Sequence, residues 1–158
     1  RSIHVESGNA NYSSLDGVLF TKSFETLLCY PCNKEENTYV IPSLVTSIES
    51  GAFSECASLT QIIIPSSVAS IGDTPFSECT HLRSILVESE NAHYSSLDGI
   101  LFTKSFDNLL CYPCNKEGNI YSIPTSVISI GPNTFSNCMA LTQITIPSSV
   151  TSIGNDAF

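Results

Sequence analysis

The stretch Cys56-Ala57-Ser58-Leu59-Thr60-Gln61-Ile62-Ile63-Ile64-Pro65-Ser66-Ser67-Val68-Ala69-Ser70-Ile71-Gly72-Asp73-Thr74-Pro75-Phe76 returns nearly unchanged from Cys138 to Phe158, and its opening returns at Cys79 to Val87, 23 residues on. Within it, Leu59, Ile62 and Ile64 alternate with polar or exposed positions, the pattern of a strand buried on one face. Pro65 ends that strand, because it has no N–H to donate. Val68 and Ile71 then point inward from a second short strand or turn, while Phe53 and Phe76 fill a corner. The stretch therefore describes one coil of 23 residues.

Reading outward, the strand marker recurs at Ile3/Val5, Tyr39/Ile41, Ile62/Ile64, Ile85/Val87, Tyr121/Ile123 and Ile144/Ile146, in steps of 36, 23, 23, 36 and 23 residues. The first three steps sum to 82, and a shift of 82 without gaps leaves about two thirds of the overlapping positions identical. Self-similarity at a fixed offset marks a repeat architecture rather than two globular domains. The longer step is an ordinary coil carrying 13 extra residues. Asp16-Gly17 and Asp98-Gly99 are tight-turn pairs, since Gly accepts positive φ. Val18-Leu19-Phe20 and Leu27-Leu28-Cys29-Tyr30 read as two antiparallel strands, so each long coil is expected to carry a protruding β-hairpin. No segment has the 3.6-residue periodicity of a long helix, and β-branched residues with Ser, Thr and Pro dominate. The expected fold is mainly β, with one single repeat segment over 1–158 built as super-repeats 1–82 and 83–158, and six strands on one face.

The run Cys-x-x-Leu-x-x-Ile-x-Ile-Pro-x-x-Val-x-x-Ile-Gly-x-x-x-Phe, met at Cys56–Phe76 and Cys138–Phe158, resembles the leucine-rich repeat of the BspA-like surface proteins, the treponemal class of that superfamily. The Tyr-Ser-Ser-Leu-Asp-Gly-(Val/Ile)-Leu-Phe of the long coils is similar to a variant of the same repeat. The resemblance implies a leucine-rich-repeat solenoid with a parallel sheet on one face, short second strands or turns on the other, and hairpin insertions. The Cys precedes the strand, unlike the commoner repeat, so outer helices are not implied. For function it implies a non-enzymatic, cell-surface or secreted module that adheres to host cells or extracellular-matrix proteins.

Composition bounds the partners. Charged residues make up 13% of the chain and the net charge is −9. A protein with no basic patch has nothing with which to release counterions from a polyanion, so nucleic acid and anionic membranes are excluded as expected partners. No run is long enough to span a bilayer, and no positively charged apolar segment opens the chain. Arg1-Ser2 stands where a leucine would open a strand and Phe158 lies inside a corner, which reads as a segment of a longer array. Open coil ends then suggest a homodimer through uncapped ends.

The seven cysteines form two groups. Cys56, Cys79 and Cys138 share one repeat position with Asn33 and Asn115, and read as a buried ladder of small groups. Cys29/Cys32 and Cys111/Cys114 are Cys-x-x-Cys pairs and the candidate disulfide or redox pairs of the chain, although no helix pattern follows to lower a thiol pKa. A thiol-disulfide active protein is thus the alternative to binding, and a structural spacer is a third reading. His4, His81 and His93 have no carboxylate or cysteine at triad or metal spacing. Glu6, Glu88 and Glu90 read as solvated acids, so no metal and no cofactor is expected. Asn11-Tyr12-Ser13 is a glycosylation sequon, with Asn11 the acceptor.

If Ile62 and Ile64 face the core, Gln61 and Ile63 face out. The equivalent outward pairs are Ser2/His4, Thr38/Val40, Ser84/Leu86, Ile120/Ser122 and Gln143/Thr145. One column across the coils then reads His4, Val40, Ile63, Leu86, Ser122, Thr145. The candidate partner-binding surface is this concave face, comprising Val40, Gln61, Ile63, Ser84, Leu86, Ser122, Gln143 and Thr145, with Val40, Ile63 and Leu86 as an apolar stripe for a protein ligand.

Overall fold

The computed structural model describes residues 1–158 and contains no helix. Its strands are β1 (Tyr12–Leu15), β2 (Val18–Thr21), β3 (Thr26–Cys29), β4 (Thr38–Val40), β5 (Ser47–Ile48), β6 (Gln61–Ile64), β7 (Ser70–Ile71), β8 (Ser84–Val87), β9 (Tyr94–Leu97), β10 (Ile100–Thr103), β11 (Asn108–Cys111), β12 (Ile120–Ser122), β13 (Ser129–Ile130), β14 (Gln143–Thr145) and β15 (Ser152–Ile153). They wind into a solenoid of about six turns. Its front carries the parallel sets β4-β6-β8 and β12-β14. Its back carries β1-β2-β3-β5-β7 and β15-β13-β11-β10-β9. The leucine-rich-repeat solenoid read from the sequence is the fold observed.

A coil turns because each segment of its sequence does one job. In the coil that begins at β6, Ile62 and Ile64 are fully buried, Pro65 closes the strand, and Val68 is fully buried beyond it. Ser67 donates its hydroxyl to Val45 O of the preceding coil at 2.7 Å, and Thr60 donates to Asn37 O at 2.9 Å. Ser67 thus satisfies a backbone carbonyl that the short strands leave unpaired, while Thr60 adds to the bonds that its own N–H and that of Gln61 make to Asn37 O. The corner is aromatic. Tyr30, Phe53 and Phe76 follow at successive coils with ring centroids 5.5 Å apart at each step. Tyr112, Phe135 and Phe158 repeat the file at 5.3 and 5.4 Å. Each such contact adds about 0.5–1.5 kcal/mol beyond the area it buries.

The long coils differ from expectation in two ways. Each holds the expected antiparallel hairpin, β2-β3 and β10-β11, but as part of a three-stranded meander, because Tyr12–Leu15 and Tyr94–Leu97 also pair. Asp16 and Gly17 have φ of 49° and 80°, and Asp98 and Gly99 have 52° and 76°, so both central turn residues lie at positive φ, as a two-residue hairpin of type I′ requires. Nor does the meander protrude. Val18, Phe20 and Leu27 are fully buried, β3 pairs in parallel with β5, and β11 with β13. The apolar residues of the insert leave water by lying between coils and widening the back sheet.

The first expected strand is also missing. Ile3 N donates to Gly17 O at 2.8 Å and Val5 N to Ser14 Oγ at 2.9 Å, but residues 1–5 have no neighbouring strand on their other side. Five front strands therefore form instead of six. The second copy shows the cause, since Ser84–Val87 of the same pattern becomes β8 by pairing with β6.

Candidate protein-binding face

The register of the front sheet sets Val40 beside Ile63 and Ile63 beside Leu86, with Gln61 beside Ser84 in the neighbouring column. Alternation along a strand sends these side chains to the opposite face from the core residues Tyr39, Ile62 and Ile85. Val40 is 58% exposed and Leu86 39%, while Ile63 between them is half-buried by both. Gln61 Nε2 donates to Ser84 Oγ at 3.0 Å, which ties the polar column alongside the apolar one. The result is an apolar strip three strands wide on a hydrogen-bonded sheet. Such a strip offers a partner buried area with little loss of side-chain freedom at Val40 and Ile63, because β-branched residues are already stiff at χ1.

The strip stops at β8. A column running on to Ser122 and Thr145 requires β12 beside β8, but Ile85 N donates to Gly99 O at 2.8 Å and Val87 N to Ser96 Oγ at 3.0 Å. The hairpin of the long coil thus occupies the edge of β8. Ser122, Gln143 and Thr145 lie on the separate β12-β14 pair, exposed, with Ser122 beside Thr145. His4 is exposed on the unpaired first segment. The eight candidate residues therefore form two patches: Val40, Gln61, Ile63, Ser84 and Leu86 in one, and Ser122, Gln143 and Thr145 in the other. At the boundary Lys116 bridges Asp98 at 2.8 Å. Leu97, 51% exposed at the hairpin turn, and Ile120, 61% exposed, are further apolar groups at this boundary. Leu97 escapes a sequence reading because its strand contains two serines and no alternation of apolar residues.

All seven cysteines are free thiols. Cys56, Cys79 and Cys138 are buried, each donating to a carbonyl of the preceding coil: Cys56 to Tyr30 O at 3.7 Å, Cys79 to Phe53 O at 2.9 Å and Cys138 to Tyr112 O at 3.7 Å. The buried ladder is thus a set of inter-coil bonds. The Cys-x-x-Cys pairs are unbridged. Cys29 Sγ faces Tyr30 O at 3.8 Å, and Cys114 Sγ faces Ser136 O at 3.2 Å. Burial pushes the Cys29 thiol up, helped by Cys32 beside it, and burial likewise raises Cys111. The Cys138 thiol beside Cys114 pulls Cys114 down. A redox pair of the Cys-x-x-Cys kind needs its first thiol lowered, commonly by a helix N-terminus. Here the first thiol of each pair is raised.

Asn11, His4, His81 and His93 are exposed, as are Glu6, Glu88 and Glu90. Glu88 has a role in the frame: its carboxylate accepts from Ser66 N at 2.8 Å. No group of three or more His, Cys, Asp or Glu is placed to hold a metal ion, and no helix is long and apolar enough to cross a membrane.

The family model for the BspA type leucine-rich repeat region matches residues 22–158 as six copies, and the chain belongs to that family. Among solved structures, a leucine-rich cell surface protein of Faecalibacterium prausnitzii is 39% identical with a TM-score of 0.68, over 74% of this chain and 31% of its own. A leucine-rich repeat protein of Eubacterium ventriosum is 27% identical with a TM-score of 0.65, over 77% of this chain and 44% of its own. The pneumococcal vaccine antigen PcpA, 24% identical with a TM-score of 0.68, covers 78% of this chain and 37% of its own and shares the fold. The chain spans less than half the length of each of these structures. No curated protein matches.

Proposed function

We propose that this chain is a non-catalytic protein-binding segment of a cell-surface or secreted protein, and that it attaches to a host-surface or extracellular-matrix protein through the front strip. The observation that carries the reading is the register Val40, Ile63, Leu86, which holds three apolar side chains outward on one rigid sheet. Repeat solenoids present extended surfaces of this kind to partners. A patch of exposed apolar groups rimmed by Gln61 and Ser84 has the composition of a small interface core with a polar rim. The cell-surface description of the Faecalibacterium prausnitzii relative supports the location. Adhesion, with Asn11 as an exposed sugar acceptor on the secreted side, is the finer form of the proposal.

The thiol-disulfide alternative rests on Cys29/Cys32 and Cys111/Cys114. It has less support, because burial raises the leading thiol of each pair. The test is binding of the purified chain to immobilised matrix proteins and to host-cell surfaces, run beside an insulin-reduction assay. Saturable binding without insulin reduction supports adhesion. Insulin reduction without binding reverses the assignment, and neither activity leaves a spacer.

A further inference from the structure

The back sheet breaks inside the chain, between β7 and the hairpin β9-β10. On its near side β7 pairs in parallel with β5, but no strand pairs with its far edge. In the neighbouring coils the equivalent carbonyl is taken by the next coil: Ile48 O accepts from Gly72 N at 2.8 Å, and Leu109 O from Gly131 N at 2.8 Å. Ile71 O, one coil beyond Ile48 O, meets no such donor. Ser70 N and Gly72 N are both turned to the near coil, so the N–H and C=O of Ile71 between them are turned to the break. That N–H donates to the Tyr94 hydroxyl at 3.0 Å, the one bond that spans the gap here.

The cause lies at the front of the solenoid. Ile85 N to Gly99 O and Val87 N to Ser96 Oγ hold the hairpin of the second long coil against β8, and on the back it stands off from β7. The space so left is a cavity of about 180 Å³. Ile71 and Pro75 wall it from one coil, Tyr94, Leu101 and Leu110 from the meander, and Pro132 from the coil after. The coils of β5 and β13 lie beyond these walls on either side, so the shape of the cavity is independent of both ends of the chain.

Its polar groups are of one kind. A narrower cleft beside it shares Pro75, Leu110 and Pro132, and the charged residues lining the two are Asp73 and Glu78, both acids. Neither is in an ion pair, since those of the chain are Lys34 with Glu36 and Lys116 with Asp98. An apolar chamber with an open carbonyl and unpaired carboxylates at its rim asks for hydrocarbon that carries N–H donors and positive charge. An apolar cavity of about 150 Å³ takes a benzene ring. This one therefore suits a single ring with one more carbon, or the stem of a lysine.

We propose that this cavity binds an alkyl- or arylammonium group, with its hydrocarbon against Pro75, Leu101 and Leu110 and its N–H groups on Ile71 O and the Asp73 carboxylate. The ammonium stays at the rim, where water still reaches it, while the stem is buried. A net charge of −9 on the chain adds to the attraction. The same chemistry is carried by a lysine side chain on a protein partner and by small free amines. The site lies on the back of the solenoid and is independent of the front strip.

Titration with benzylammonium, followed by NMR at the amides of Ile71, Gly72 and Leu110, tests the proposal. Benzyl alcohol is the uncharged control, and lysine blocked at both backbone ends stands for a partner's side chain. The expected result is a saturable shift at these amides that weakens with salt. Benzyl alcohol is expected to bind at least about tenfold more weakly, the loss of one charge-assisted hydrogen bond. Asp73→Asn, whose side chain makes no bond within the fold, lowers the affinity about fivefold or more by the same reasoning. Leu110→Phe fills the cavity and abolishes binding, with both variants checked for folding by circular dichroism. Tighter binding of blocked lysine assigns the site to a protein partner, and tighter binding of benzylammonium to a free amine. No saturable shift with either cation, equal binding of benzyl alcohol, or an affinity that either variant leaves unchanged overturns the proposal.

Discussion

Asn91 holds more of this structure than any other single polar side chain. It has no exposure, and its four bonds tie two carbonyls of one coil to the turn that opens the meander of the next. Removing it leaves Val68 O, His93 N and Tyr94 N without partners and Pro65 O with only Val68 N at 3.3 Å, at about 1–3 kcal/mol for each group that stays dry and unpaired. Asn91→Ala is therefore expected to lower unfolding free energy by about 3–4 kcal/mol, since water reaches some of the four. Asn9→Ala, which loses only the two turn bonds of an exposed residue, is expected to cost no more than about 1 kcal/mol. Urea denaturation of both variants measures the contrast, and equal losses would contradict this account of Asn91. The role of Asn91 is illegible in the sequence, where Asn91 and Asn9 are the same residue in the same motif. Only the neighbouring coil distinguishes them.

At the scale of elements, the 23-residue coil was readable and the way the long coils dock was not. The alternation of Ile62, Ile63 and Ile64 decides which side chains face the core, because side-chain direction is local to the strand. Which strand lies alongside is a long-range outcome, and periodicity carries no record of it. That is why the outward columns were legible strand by strand while their interruption after Leu86 was not. The interruption depends on Gly99. Its φ is +76°, and a Cβ there would lie 2.8 Å from Ser84 Cβ. Gly99→Ala thus combines left-handed backbone strain with a steric conflict at the edge of β8, and is expected to cost about 1–3 kcal/mol. Differential scanning calorimetry checks this, and a neutral effect would mean that the turn does not sit against β8. The cysteines divide the same way. Their ladder position was apparent from spacing, whereas the unbridged, raised thiols of Cys29 and Cys111 follow from burial that the flanking Leu27-Leu28 and Leu109-Leu110 only hint at.

Across the whole molecule, the core falls into two clusters, one of 20 buried residues from Val18 to Leu101 and one of 10 from Ile100 to Ala157. In a solenoid each coil is stabilised mainly by its neighbours, so stability follows the local cluster rather than the chain as a whole. Amide exchange is accordingly expected to be faster in β13 and β15 than in β5 and β6, and uniform protection would show one cooperative core instead. The front surface is divided at the same place, with the apolar strip on the larger cluster and the hydroxyl-bearing patch on the smaller. The central claim is that the strip makes the contact with a protein partner. The measurement that tests it most directly is partner binding by Ile63→Asp/Leu86→Asp beside Ser122→Asp/Thr145→Asp, with both double variants shown to be folded. The account predicts that the first loses binding by at least about 100-fold, as for removal of interface residues worth some 2.7 kcal/mol or more, and that the second stays within a few-fold of the unaltered chain. Retained binding in the first, or equal loss in both, would contradict it.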